Sequence, residues 1–345
     1  TEVTTLTGTI AAVNTVYAAS ASTGDGISNL GNEAVTLTDT DGVTVATLNT
    51  LNGNTAGTIN AGTITAISGS LTALNTAYAS NEISGLGNEI VTISDTGSVA
   101  ATDLTTLATA NSSGSLAASS VTTITGTADQ IIAAYGSGVV DSGLGDEAIT
   151  VTGNVSVANA RSLNALTTGV VTGTITSGTT IAAMLDADTG ITESAGSNAY
   201  TITVASDDAT ATAANLNSLD DLTTVAVDAG EGTAISGALS DLVTLYGSSG
   251  VSGLGNETVT ISDSGSVAAA DLTTVGDATS ATVTASSAAT VTGTAAEIIA
   301  AYADIEEGLG NEAITVTGTA TVAQANAIDL LTSGTITATI SEGDI

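Results

Sequence analysis

The chain has 345 residues, thirty-five of them acidic and one, Arg161, basic, for a formal net charge of −34. It contains no Cys, His, Lys, Trp, Phe or Pro. That balance excludes nucleic acid as a partner, because phosphate binding needs Lys and Arg, and it disfavours anionic membrane surfaces.

Disulfides and thiolate metal sites are ruled out as well. With 42% hydrophobic residues, 10% charged and the apolar positions periodic, the chain reads as folded. No apolar run approaches the roughly 18 residues of a membrane span. No basic n-region marks a signal peptide, so the sequence reads as a mature chain or a fragment.

In chain order, the first element is TEVTTLTGTIAAVNTVYAAS (1–20), a Thr-rich segment running into an Ala/Ile stretch that reaches Tyr17. The phrase returns as VTTITGTADQIIAAY at 121–135, inside a longer repeat. A Gly-rich turn, NLGNE or GLG[ND]E, recurs with its Leu at Leu30, Leu86, Leu144, Leu254 and Leu309, and a degenerate copy, SAGSNAY, surrounds Ala195. Successive copies stand roughly 55 residues apart, and the step from Leu144 to Leu254 covers two repeats because it passes over the degenerate copy. Repeats are expected at 30–85, 86–143, 144–194, 195–253 and 254–308, flanked by half-repeats at 1–29 and 309–345, all in one domain over 1–345.

Each repeat has the same grammar. After the turn comes an alternating run such as AVTLTD or AITVTG, the pattern of a half-exposed strand. Segments such as 98–108, 154–169 and 319–334 carry Ala and Leu at helical spacing. A second β run follows at 170–176, 224–229, 281–286 and 335–341. A short Thr-x-Thr-Gly phrase then leads into helices at 127–135, 238–246 and 294–302, with Thr or Ser near the cap.

Strand and helix alternate at about 28 residues per pair, and such a unit buries its apolar side only against neighbours. The expected fold is α/β, a tandem-repeat solenoid of parallel strands with short helices. The alternative is an all-β parallel β-helix with Ala-rich turns. Parallel strands repeat every ~4.8 Å while packed helices need ~8–10 Å, so the stack must curve or stagger its helices. Tyr17, Tyr78, Tyr135, Tyr246 and Tyr302 close the second helix of their repeats, with Leu185 in that place in the degenerate copy. They are expected to pack under the turn with wet hydroxyls.

Catalytic chemistry is hard to build from this alphabet. Without His, Cys or Lys, Ser–His–Asp and Cys–His nucleophiles, Schiff bases and His-ligated zinc are excluded, and no enzyme is expected. GSGVVDSGLG (136–145) lacks the Lys of a phosphate loop. Arg161 is expected at a solvated helix surface. Calcium is the one cofactor the residues suggest: Asp39 with Asp41 in DTDG, and Asp186 with Asp188 in DADTG, have oxygen ligands at turn spacing. Glu33, Glu89, Glu147, Glu257 and Glu312 follow the turns and are expected to form an acidic surface stripe.

The last copy stops after strand, helix and strand, and residues 3 to 17 resemble the missing half. The two ends are therefore expected to complete one repeat between copies, through Val3, Leu6, Ile10, Ile336 and Ile340, giving an open head-to-tail filament. Joined end to end, however, the step from Leu309 to the next Leu30 is longer than any internal repeat.

At NLGNEAVTLTD, VAQANAIDLLTSGTITATIS and GTAAEIIAAY the sequence resembles tandem repeats of very large, acidic, Thr/Ala-rich surface and secreted proteins of marine picocyanobacteria. The resemblance covers nearly the whole chain and implies an extracellular or cell-surface location in seawater. The expected function is a structural subunit of an extracellular filament whose partner is itself. The alternative is a repeat segment of a giant calcium-dependent adhesin or phage fibre that binds glycans or a host surface.

Overall fold

Alternation decides the strands. In Ala34–Leu37 the side chains of Val35 and Leu37 are buried and Thr36 is exposed, as a pleat with one apolar face requires. The helices keep a three-residue beat. Ala101, Leu104 and Leu107 are buried along Ala101–Ala110, and Ala269, Leu272 and Val275 along Ala269–Gly276. Each fully buried Leu stabilises the fold by about 1.5–3 kcal/mol relative to exposure.

The computed structural model describes residues 3–21, 27, 29–136, 138–192, 198–208 and 211–341. Among these the protein is α/β, with twelve helices, parallel strands in several sheets and no closed barrel. The all-β alternative therefore falls: AAEIIAAY, its hardest segment, lies in the helix Ala295–Asp304. Part of SAGSNAY and the final EGDI lie outside the described residues.

Two compact units divide the chain. One comprises Thr1–Val155, Ser162–Gly173 and Ser194–Gly196, the other Ser156–Arg161, Thr174–Glu193 and Ser197–Ile345. In the first, Thr5–Gly8, Ala34–Leu37, Ile59–Asn60 and Ile83–Ser84 form one parallel ladder. Val43–Thr44, Ala66–Gly69, Ile90–Ile93 and Ser115–Ala117 form a second. Ser98–Ala100, Thr123–Gly126 and Ala148–Val155 pair in a third.

In the second unit, Ala234–Gly237, Thr258–Ile261 and Val283–Thr284 form one ladder. Ser266–Ala268, Thr290–Gly293, Ala313–Ala320 and Ile336–Ile340 form another. Within each unit consecutive helices pack on one another, among them Leu71–Tyr78 on Ala101–Ala110 and Ala269–Gly276 on Ala295–Asp304. Asn side chains link the helices: Asn49 donates to the Ala73 carbonyl at 2.9 Å and Asn75 to that of Asp103 at 3.0 Å.

Ladders and helices keep different periods. Successive helices start at Val45, Leu71, Ala101 and Ala128, in keeping with the expected strand-and-helix repeat. The neighbouring ladder runs through Val43, Ile67, Val91 and Leu116. Three steps thus carry the helices from position 45 to 128 but the ladder only from 43 to 116, so each rung slides upstream of its helix by a few residues. Val43–Thr44 abuts its helix, whereas Ile90–Ile93 lies well before Ala101, where the new strand Ser98–Ala100 has begun.

This slip answers the spacing conflict. A slide of about three residues moves equivalent points ~10 Å along the strand and ~4.8 Å across it, or about 11 Å in all. That distance is close to the ~8–10 Å that packed helices need.

Candidate functional site

The recurrent turn ends in Glu, and the parity of the strand that follows decides where that side chain goes. Glu33, Val35 and Leu37 share one face, as do Glu312, Ile314 and Val316, so each Glu points inward with the apolar residues. All five are buried, between 0 and 3% exposed, which overturns the expected surface stripe. A buried carboxylate is costly unless it is hydrogen-bonded.

Each carboxylate folds back onto the turn that carries it. Backbone N–H groups of Gly31, Gly87, Gly145, Gly255 and Gly310 donate at 2.7–2.9 Å, and those of Asn88, Asp146, Asn256 and Asn311 at 3.0–3.3 Å. Thr55, Thr167, Thr279 and Thr332 then donate their hydroxyls to the main-chain carbonyls of Glu33, Glu147, Glu257 and Glu312 at 2.6–2.9 Å. Burial works against charge on Glu33. The Gly31 N–H, the Tyr17 hydroxyl and the Asn32 N–H nonetheless hold its carboxyl below the usual carboxylate range.

The tyrosines belong to the same construction. Tyr17 donates to Glu33 at 2.8 Å and Tyr78 to Glu89 at 2.6 Å, and Tyr246 donates to Glu257. Burial first, and then the neighbouring carboxylate, raise the Tyr78 and Tyr246 hydroxyls above the ordinary tyrosine range. Those two stand eleven residues before their Glu. At Tyr302, ten before Glu312, and at Tyr135, twelve before Glu147, the hydroxyl is buried without a partner.

The degenerate copy loses both partners together. Thr223 donates to the carbonyl of Tyr200 at 2.7 Å, the bond that Thr55 makes to Glu33, so Tyr200 stands in the Glu position. Leu185 has replaced the helix tyrosine, and the Tyr200 hydroxyl donates instead to the Ala160 carbonyl at 3.3 Å. One half of the pair is not kept without the other.

Among the described residues, the four aspartates considered for calcium form no cluster of three metal-ligating side chains. Asp39 accepts from the Ile10 N–H at 2.8 Å and so caps a helix on the preceding repeat. Asp95, Asp208 and Asp263 do the same for Leu71, Ile181 and Leu239 at 2.6–2.7 Å. Where the strand carries TG in place of that Asp, as at Gly153 and Gly318, the preceding helix carries its own capping box, Thr127 with Gln130 or Thr294 with Glu297.

Asp186 accepts from the N–H groups of Asp188 and Thr189 and from the Thr189 hydroxyl, which, with the hydroxyl first, keeps its carboxyl below the usual range. Asp41 and Asp188 are exposed. Arg161, expected to be solvated, is half-buried and donates to the Gly190 carbonyl at 3.1 Å.

The expected assembly residues lie on or beside two outermost strands. Thr5–Gly8 pairs only with Ala34–Leu37, and Ile336–Ile340 only with Ala313–Ala320, among the described residues. Inside the chain, the apolar residue of the Thr-x-Thr-Gly strand is covered: Ile67, Ile124, Ile235 and Val291 are 0 to 4% exposed. Leu6 in the same place is half-buried, and Ile340 is 43% exposed. Val3 and Ile336 are half-buried, whereas Ile10 is core at 3%. Leu330, 87% exposed, adds to the apolar surface near the C-terminal strand.

Comparison with protein families, curated proteins and solved structures gives no match. Among the described residues no helix is long and apolar enough to cross a membrane.

Proposed function

We propose that this chain is a structural subunit whose repeats stack as an α/β solenoid and whose copies join head to tail into an extracellular filament. The observation that carries the reading is Ile340. It is 43% exposed on an outermost strand, whereas Ile175, at the same place in the repeat that begins at Leu144, is 5% exposed. An apolar residue left this exposed on an edge strand marks an unfinished ladder, open to a strand from another copy. Two unlike edges on one chain make a contact that propagates rather than closes. The buried Glu turns suit the same role, since each carboxylate accepts from the Gly N–H of its own turn and so holds the turn closed.

Electron microscopy of the 345-residue protein over a concentration series tests this. Filaments are expected, and Leu6→Asp should abolish them by placing a charge in the joint. Deleting residues 1–17 is a poorer test, because Ile10, Val13 and Tyr17 are core residues. Monodisperse particles at every concentration would defeat the proposal and favour the glycan-binding segment instead.

A further inference from the structure

The two ends are not simple complements: they carry the same strand. Ser98, Val99 and Ala100 lead into a helix capped at Ala100 and pair with Thr123, Ile124 and Thr125. Ser266–Ala268 and Thr290–Thr292 repeat that register. In the last repeat Thr319 and Ala320 lead into the helix capped at Thr321, so they stand where Ser98 and Val99 stand. Their partners are Thr339 and Ile340, which therefore occupy the place of Thr123 and Ile124.

Thr5–Gly8 is a strand of that same type. It directly precedes its helix and meets Ala34–Leu37 in the register that Thr123–Gly126 makes with Ala148–Val151. When one copy follows another, two strands contend for one ladder position.

Their holds are unequal. Thr5–Gly8 makes four register pairs and runs straight into a helix anchored by buried Ile10, Val13 and Tyr17. Thr339 and Ile340 make two pairs beyond a register shift, and both are exposed.

Resting on the head-to-tail reading, we infer that copies join by strand displacement. Thr5–Gly8 of the incoming copy replaces Thr339–Ser341 against Thr319–Thr321, with Thr5 opposite Thr319 and Leu6 opposite Ala320. The C-terminal strand is thus a built-in plug over the acceptor edge. Leu6 of the incoming copy then takes the position that Ile340 held.

A chain without cysteine allows a direct test. Thr5→Cys is combined with Thr319→Cys in one protein and with Thr339→Cys in another. Facing residues on paired strands lie within disulfide reach, at roughly 4.8 Å between Cα atoms. After assembly and oxidation, a non-reducing gel should show an intermolecular ladder for the 5/319 pair alone.

A ladder for 5/339 would mean that the strands add side by side, overturning displacement while leaving head-to-tail assembly. Filaments without either cross-link would overturn this joint. Absence of filaments from the unaltered chain would overturn the proposed function itself. Truncation after Thr337 removes the plug and should shorten the assembly lag several-fold; an unchanged or longer lag in a folded truncation overturns the plug. Should that truncation not fold, the cysteine pairs decide alone.

Discussion

The Tyr78 hydroxyl lies 2.6 Å from a carboxylate oxygen of Glu89, and the two are joined under a Gly-rich turn eleven residues apart in sequence. A hydrogen bond to a charged acceptor contributes about 1.5–3 kcal/mol. Tyr78→Phe should therefore destabilise the protein by that order, read as a lower urea midpoint. Tyr302→Phe removes a buried hydroxyl that has no partner and should be neutral or slightly stabilising. Equal losses at both positions would refute a specific contribution from the Tyr78–Glu89 bond.

Glu33 gives a pH signature. Its carboxyl is held below the range it has in an unfolded chain, so its contribution is complete above about pH 5. That contribution falls away as pH drops through the lower, folded value. Glu33→Gln should be less stable than the parent at neutral pH, and the gap should close on acidification. A gap that stays constant from neutral into acid solution would contradict the charge assignment.

Helix Leu239–Gly247 has Ala238 at its N-cap and depends on Asp263 from the next repeat. Asp263→Ala should cost about 1 kcal/mol, the worth of a capping side chain. Adding Ala238→Thr should restore most of it, because a local hydroxyl can accept the same class of N–H. Denaturation of the single and double variants measures both effects.

Two glycines should respond oppositely to the same change. Gly253 has φ +81°, and a Cβ there would meet the Gly230 nitrogen at 2.5 Å. Gly253→Ala should cost at least about 1–3 kcal/mol from backbone strain alone. Gly53 sits in the helix Val45–Asn54 with open space around it, and Gly53→Ala should stabilise by roughly 0.5–1 kcal/mol. Thermal melts of the two variants should move in opposite directions.

Much of this architecture is visible in the chain's own rhythm. Alternating Val and Thr give strands such as Ala34–Leu37, and the Ala/Leu beat gives Ala101–Ala110 near where it is expected. The Thr-x-Thr-Gly phrases read as connectors, yet Thr123–Gly126 is a strand, because four residues show too little alternation to declare themselves without their ladder neighbours. Burial of the Glu row was legible: Glu33 is two residues before Val35, and strand parity sends both inward. Charge alone suggested the surface, since the donors that make burial tolerable are backbone groups with no letter of their own. The role of Asp39 was hidden for another reason. Its partner is Ile10, twenty-nine residues earlier, and only the ladder brings them together.

The slip between ladders and helices has a consequence for solubility. A chain this rich in Thr, Val and Ile risks templating cross-β growth wherever a long flat edge is presented. Here the ladder begun at Thr5–Gly8 dwindles to the two-residue Ile83–Ser84, and the pair Val227–Asp228 and Val251–Ser252 is equally short. Glycines at positive φ, Gly85 and Gly253, follow directly. These internal edges thus taper to stubs that offer a stray strand almost nothing to copy.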